Sequence, residues 1–105
     1  MATASLPTTR IALVTGAAQG IGEAIALRLA DDGLAVALND IPQKQELAAV
    51  VASAIQRKGG RAILVLGDVS VEGDVASMID KTVAELGGLD VVSLITYAGS
   101  VNAAS

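Results

Sequence analysis

The chain has 105 residues, enough for one domain and too few for a second. Hydrophobic residues make up 52% of it, yet Tyr97 is the only aromatic, so a core must be assembled from Ala, Val, Leu and Ile. A formal net charge of -4 gives no basic footprint for nucleic acid, and the lack of cysteine and histidine excludes disulfides, zinc thiolates, thiol nucleophiles and the commonest general base.

Met1 to Thr9 is polar apart from Leu6 and Pro7, lacks the charged start and apolar stretch of a secretory signal, and reads as a disordered tail. Ile11-Ala-Leu-Val14 is a short continuous apolar run, the pattern of a strand buried on both faces of a parallel sheet. Glycines follow at once. From there Ile21, Ala24, Ile25 and Leu29 recur at helical spacing, and Gly33 stands where a helix C-terminal glycine belongs. Ala35 to Leu38 reads as a second buried strand. Leu47, Val50, Val51, Ala54 and Ile55 form the stripe of a second helix that ends at Gly59-Gly60.

Ala62 to Leu66 is the third predicted strand. Ser70, with Glu72 and Asp74 behind it, marks a helix start, because acidic side chains favour the positive end of the helix dipole. Val75, Met78, Ile79, Val83 and Leu86 supply the buried face of that helix, and Gly87-Gly88 closes it. Val91 to Ile95 is the fourth strand, and residues 100–105 form a second tail. The order is therefore βαβαβαβ, which implies an α/β fold with a parallel sheet and right-handed crossovers. No apolar run approaches the roughly 18 residues of a membrane span, so the expectation is a soluble, cytoplasmic protein with no membrane or nucleic-acid partner.

Between the first strand and first helix stands Thr15-Gly16-Ala17-Ala18-Gln19-Gly20-Ile21-Gly22. Gly16 and Gly20 can take backbone angles closed to other residues and leave room for a pyrophosphate, which then faces the free amides of the helix N-terminus. Gly22 would let helix and strand approach closely. A P-loop requires Gly-Lys-Ser/Thr at the end of such a segment, and here Glu23 follows Gly22, so a triphosphate site is disfavoured. The plainer alternative is that the glycines only make a tight turn. Against it stands Asp40, about 20 residues further on at the end of the second strand, as the dinucleotide fingerprint requires.

Asp40 can accept hydrogen bonds from the adenosine ribose hydroxyls, and its charge opposes the extra phosphate of NADP. Gln19 and Ile41 occupy the obvious positions for a compensating basic residue, which leaves none nearby and makes NAD the expected cofactor. The structural alternative for Asp40 is a turn residue before Pro42. Asp68, at the end of the third strand, can hydrogen-bond the adenine amino group while Val69 packs on the ring. It can equally help cap the helix from Ser70.

Taken together, Thr15 to Gly22, Asp40 and Asp68-Val69 resemble the cofactor-binding pattern of the classical short-chain dehydrogenases/reductases, over roughly residues 10 to 92. The run Ala24 to Gly33 is similar to that of diacetyl and acetoin reductases. The resemblance implies a partial doubly wound sheet in the order 3-2-1-4, a dinucleotide-binding unit over residues 10–99, and, in a complete member, hydride transfer between NAD and an alcohol or carbonyl compound.

Two departures qualify it. The family's Asn-Asn-Ala-Gly at the end of the fourth strand is here reduced to Ala98-Gly99, which the resemblance places beside the cofactor. The family's catalytic Ser and Tyr-x-x-x-Lys are expected to fall beyond the 105 residues, and Tyr97 does not stand in for that tyrosine, because four positions on is Val101 and not a lysine. The chain is accordingly expected to carry no catalytic residue and no metal site, and to read as a truncated binding half. Its apolar fourth strand, lying at the sheet edge, favours self-association. A non-catalytic NAD- or partner-binding module and a truncated product without independent function remain open alternatives.

Overall fold

In a computed structural model, residues 9–94 are described; the two predicted tails, apart from Thr9, together with Ile95, Tyr97, Ala98 and Gly99, lie outside them. The elements are β1 (Ile11–Val14), α1 (Gly20–Asp31), β2 (Ala35–Leu38), a single 3-10 turn (Pro42–Lys44), α2 (Gln45–Arg57), β3 (Ala62–Leu64), α3 (Glu72–Leu86) and β4 (Val91–Ser93). All pairings are parallel, in the order β3-β2-β1-β4. The predicted α/β class, connectivity and sheet order thus stand.

The two faces of the sheet are built from alternate residues of the same short strands. Val14, Val36 and Leu38 meet Ala26 of α1 and Val51, Ala52 and Ile55 of α2 on one face. Ile11, Leu13, Ala35 and Ala37 meet Met78 and Leu86 of α3 on the other. A continuous apolar run is what such a strand needs, since every one of its side chains is buried. At the opposite end from the glycine loop, Asp90 ties β4 to β1: its carboxylate accepts from the Ile11 amide at 2.8 Å, and its own amide donates to the Ile11 carbonyl at 2.8 Å. Left-handed glycines Gly33, Gly59 and Gly87 end the three helices, as predicted.

The helix faces require correction. In α1 the buried residues are Gly22 and Ala26, with Ile25 half-buried against the core, whereas Ile21 and Ala24 are exposed. In α2 the small residues Ala48 and Ala52 join Val51 and Ile55 inside, and Leu47 and Val50 face outward. In α3 the interior residues are Met78, Thr82 and Leu86, while Ile79 and Val83 lie on an exposed flank. Thr82 is tolerated there because its hydroxyl donates to the Met78 carbonyl at 2.8 Å. The third strand ends at Leu64, although the Val65 amide still donates to the Leu38 carbonyl at 2.9 Å, and the fourth ends at Ser93.

The predicted start of α3 at Ser70 also shifts. Ser70 lies in a turn, and the helix begins at Glu72 with Val71 before it and no side-chain cap. The Ser70 amide and hydroxyl both donate to Asp68 Oδ1, at 2.8 and 2.6 Å, so the serine serves the preceding aspartate instead of the helix.

Candidate functional site

At the carboxyl ends of the strands, backbone and side chains fasten three loops together. The Ala17 amide of the glycine loop donates to the Asn39 carbonyl at the end of β2 (2.9 Å), and the Gly67 amide beyond β3 donates to the Asp40 carbonyl (3.0 Å). Asn39 itself is only 2% exposed. Its side-chain amide donates to the carbonyls of Val65 (2.9 Å) and Gly67 (3.2 Å) and lies 3.2 Å from Met78 Sδ. The ends of β2 and β3 and the buried face of α3 therefore share one satisfied polar group, which fixes the platform on which Asp40 and Asp68 stand.

The glycine loop runs over this platform. Gly16 and Gly20 have φ of 64° and 63°, angles that side chains on L-residues resist. Gln19 is the N-cap of α1 in extended geometry, without a side-chain cap. Among the described residues, the amides of Gly20, Ile21 and Gly22 have no acceptor, as expected of a first helical turn. Glu23 is the acidic residue of that turn, half-buried beside them.

Asp40 is built into the loop. Its Oδ2 accepts from the Ala18 amide at 3.1 Å and its Oδ1 from the Ile41 amide at 2.9 Å, which leaves each oxygen a further lone pair. Asp68 is exposed and stands beyond β3. The Ser70 hydroxyl and then the Ser70 amide hold its carboxyl below the usual carboxylate range, so it is an ionised acceptor throughout the neutral range. By linkage, the turn gains from this bond above the ordinary carboxylate pKa and loses it as pH falls through the lowered one. Asp74, in the first turn of α3, accepts from the Asp68 amide at 2.9 Å and so ties the loop after β3 to the helix start.

Three apolar side chains, Ile21 (70% exposed), Ile41 and Val69, are open to solvent around these strand ends. One residue that sequence reasoning placed nowhere near the site also arrives here. The 3-10 turn that opens with Pro42 brings Lys44 Nζ to 2.9 Å from Gln19 Oε1, which corrects the expectation that no basic residue stands nearby. Pro42 at the first position of a turn was the available signal. Asn39 left no signal, because an asparagine at a strand end ordinarily reads as a surface residue.

A hollow of about 270 Å³ lined by Leu27, Ala30, Asp31, Ile55, Lys58 and Gly60 lies at the far end of the molecule. It adjoins helix C-termini, whose partial negative charge disfavours phosphate. Among the described residues there is no cluster suited to a metal ion, and no helix is long and apolar enough to cross a membrane.

Comparisons with known proteins converge on one family. The family model for short chain dehydrogenase matches residues 10–105. A short-chain dehydrogenase/reductase of Armillaria gallica is 51% identical over 92 residues, which is 88% of this chain and 35% of the relative. The L-2,3-butanediol dehydrogenase of Corynebacterium glutamicum is 41% identical over 91 residues, covering 87% of this chain and 34% of that protein. The crystal structure of a dehydrogenase/reductase from Sinorhizobium meliloti 1021 superposes with a TM-score of 0.80 at 40% identity, over 85% of this chain and 35% of that one. The chain thus spans about a third of the length of the relatives it matches. It belongs to the short-chain dehydrogenase family.

Proposed function

We propose that this chain supplies the NAD-binding part of an oxidoreductase whose whole form transfers hydride between an alcohol or carbonyl substrate and NAD. The observation that carries the reading is the Asp40 carboxylate, bonded into the glycine loop at Ala18 with lone pairs still open. Gly16, Gln19, Gly20, Ile21 and Gly22 would hold the pyrophosphate, with the acceptor-free amides of the first turn of α1 facing it. Asp40 would accept from the ribose hydroxyls. Ile41 and Val69 would cover the adenine, and Asp68 would accept from its amino group. Ala98-Gly99, outside the described residues, would border the nicotinamide half. When bound, NAD supplies the two-electron carbon centre; the residues here bind it and orient it.

Calorimetry on the 105-residue chain is expected to show NAD binding more tightly than NADP, because Asp40 opposes a 2′-phosphate. Replacing Asp40→Ala together with Ile41→Lys is expected to abolish or reverse that preference. Tighter NADP binding by the parent chain would overturn the role of Asp40.

The same reading has these 105 residues bind without turning over, since Val101 stands where a tyrosine at position 97 would need its lysine. With NADH and diacetyl, acetoin or simple secondary alcohols, the absorbance is expected to stay at background. Turnover that disappears in Tyr97→Phe would show the opposite. We also propose that the isolated chain associates with itself through β4, whose apolar side chains remain half-covered.

A further inference from the structure

Past the ends of β2 and β3, one side chain keeps the two segments side by side. The Val65 amide donates to the Leu38 carbonyl at 2.9 Å, and the Gly67 amide to the Asp40 carbonyl at 3.0 Å. In a regular parallel ladder the Asp40 amide would take the Val65 carbonyl between these two rungs. Among the described residues that carbonyl accepts instead from the Asn39 side chain, at 2.9 Å. The second hydrogen of the same amide goes to the Gly67 carbonyl at 3.2 Å. A reversed side chain would set its own oxygen against both carbonyls, so the hydrogen-bond network fixes its orientation. On the other side Gly67 has no slack: a Cβ there would lie 2.8 Å from Met78 Sδ and 3.3 Å from Asp74 Cβ. The segment leading to Asp68 is therefore held between α3 and Asn39.

We propose that Asn39 is a positioning residue for the adenine base: by holding residues 65–67 against the end of β2, it keeps the Asp68 carboxylate where it accepts from the adenine amino group. The proposal rests on the dinucleotide reading above. Asn39 is only 2% exposed and acts through Asp68. The bonds that Asp68 receives from Ser70 lie within its own turn, so they orient the carboxylate without fixing the turn to the sheet. Asp74 ties that turn to α3, and Asn39 ties it to β2. The Asn39 backbone carbonyl separately accepts from the Ala17 amide of the glycine loop, a bond that any residue at position 39 retains. Substituting the side chain thus separates the adenine end of the site from the pyrophosphate end.

Calorimetry on the 105-residue chain tests this with 5′-AMP against purine riboside 5′-phosphate, which lacks the amino group. The parent is expected to favour 5′-AMP about fivefold, the size of one net hydrogen bond, and Asn39→Ala to reduce that preference to about twofold or less. Asn39→Leu, which fills the same space without a donor, should match the alanine variant, and Asn39→Ser, which keeps one donor, should fall between it and the parent. Asp68→Ala should remove the preference from the parent and change nothing further once Asn39→Ala is present. Amide exchange read by NMR needs no ligand: in Asn39→Ala the Gly67 and Asp68 amides should exchange about tenfold faster relative to the Ala17 amide. Full base preference in Asn39→Ala or Asn39→Leu, additive effects of the two alanine substitutions, or a rise in exchange shared equally by Ala17 would overturn the proposal and leave the dinucleotide reading intact. A parent chain that binds both nucleotides equally, or neither, would instead defeat the adenine site at Asp68, and the role of Asn39 with it.

Discussion

Gly22→Ala is expected to destabilise the chain by about 3 kcal/mol or more and to abolish dinucleotide binding, whereas Gly20→Ala is expected to cost only about 1–2 kcal/mol. The two glycines are required for different reasons. Gly20 has φ of 63°, and a Cβ there would meet nothing within 4 Å, so its penalty is backbone strain alone. Gly22 has no unusual backbone angle but no room: a Cβ would lie 2.0 Å from the Gly16 carbonyl oxygen, 2.6 Å from its carbon and 3.0 Å from the Thr15 oxygen. Those atoms are backbone, and they belong to the left-handed turn at Gly16. They cannot yield as a flexible side-chain tip would. Either α1 lifts from β1 or the loop unwinds, and both disperse the first-turn amides. With a total stability of roughly 5–15 kcal/mol, Gly22→Ala removes a large share. Denaturant midpoints of the two variants beside the parent decide the matter. A Gly22→Ala chain within 1 kcal/mol of the parent would show that the close approach of helix and loop does not hold the site together.

The strands were legible because β1 and β2 are short runs with no polar residue, each punctuated by glycine or a turn, the pattern of a strand covered on both faces, while the sheet order came from the resemblance to the family. The helix faces were less so. In a chain this rich in aliphatic residues, more positions are apolar than the buried face holds, and closeness of packing decides which go inside. Ala26 and Ala52 take the positions against the sheet because small side chains let the helix axis come near. The bulkier Leu47 and Val50 are turned outward by the same geometry. Thr82 was hidden by its polarity, since spacing gives no warning that its hydroxyl bonds back to Met78. The glycine loop and Asp40 were visible as a spacing. Lys44 was not, because its nearness to Gln19 depends on how the turn after Asp40 folds back.

The 105-residue chain is expected to form a dimer through β4 at concentrations of tens to hundreds of micromolar, and Val92→Lys is expected to return it to monomer with little change in thermal stability. In the order β3-β2-β1-β4, the outer edge of β4 has no partner among the described residues. Val92 and Leu94 are 48% and 70% exposed and, two residues apart, share the α3 side of the sheet with Leu13, the partner of Val92 on β1. On α3, Lys81 bonds the Leu64 carbonyl and the Glu85 carbonyl accepts from Arg61, so that flank faces β3. Ile79 and Val83, roughly 100° and 140° round the helix from Met78, then flank the β4 side. Fully burying one such side chain is worth about 1.5–3 kcal/mol, so covering the open half of these four on each of two copies yields roughly 6–12 kcal/mol in all. Association costs about 4–15 kcal/mol. Apolar contact alone therefore leaves the dimer marginal. Backbone pairing of the two β4 edges about a two-fold axis adds roughly 0.5–1.5 kcal/mol per hydrogen bond, enough to bring the constant into a measurable range. Lysine at position 92 blocks that edge, yet its stem lies over a surface that valine only half covered. A longer polypeptide that continues the sheet past β4 covers the same residues itself, so the expectation is confined to these 105 residues. Sedimentation equilibrium supplies the measurement: a monomer at several hundred micromolar, or a dimer that survives Val92→Lys, would exclude β4 as the interface.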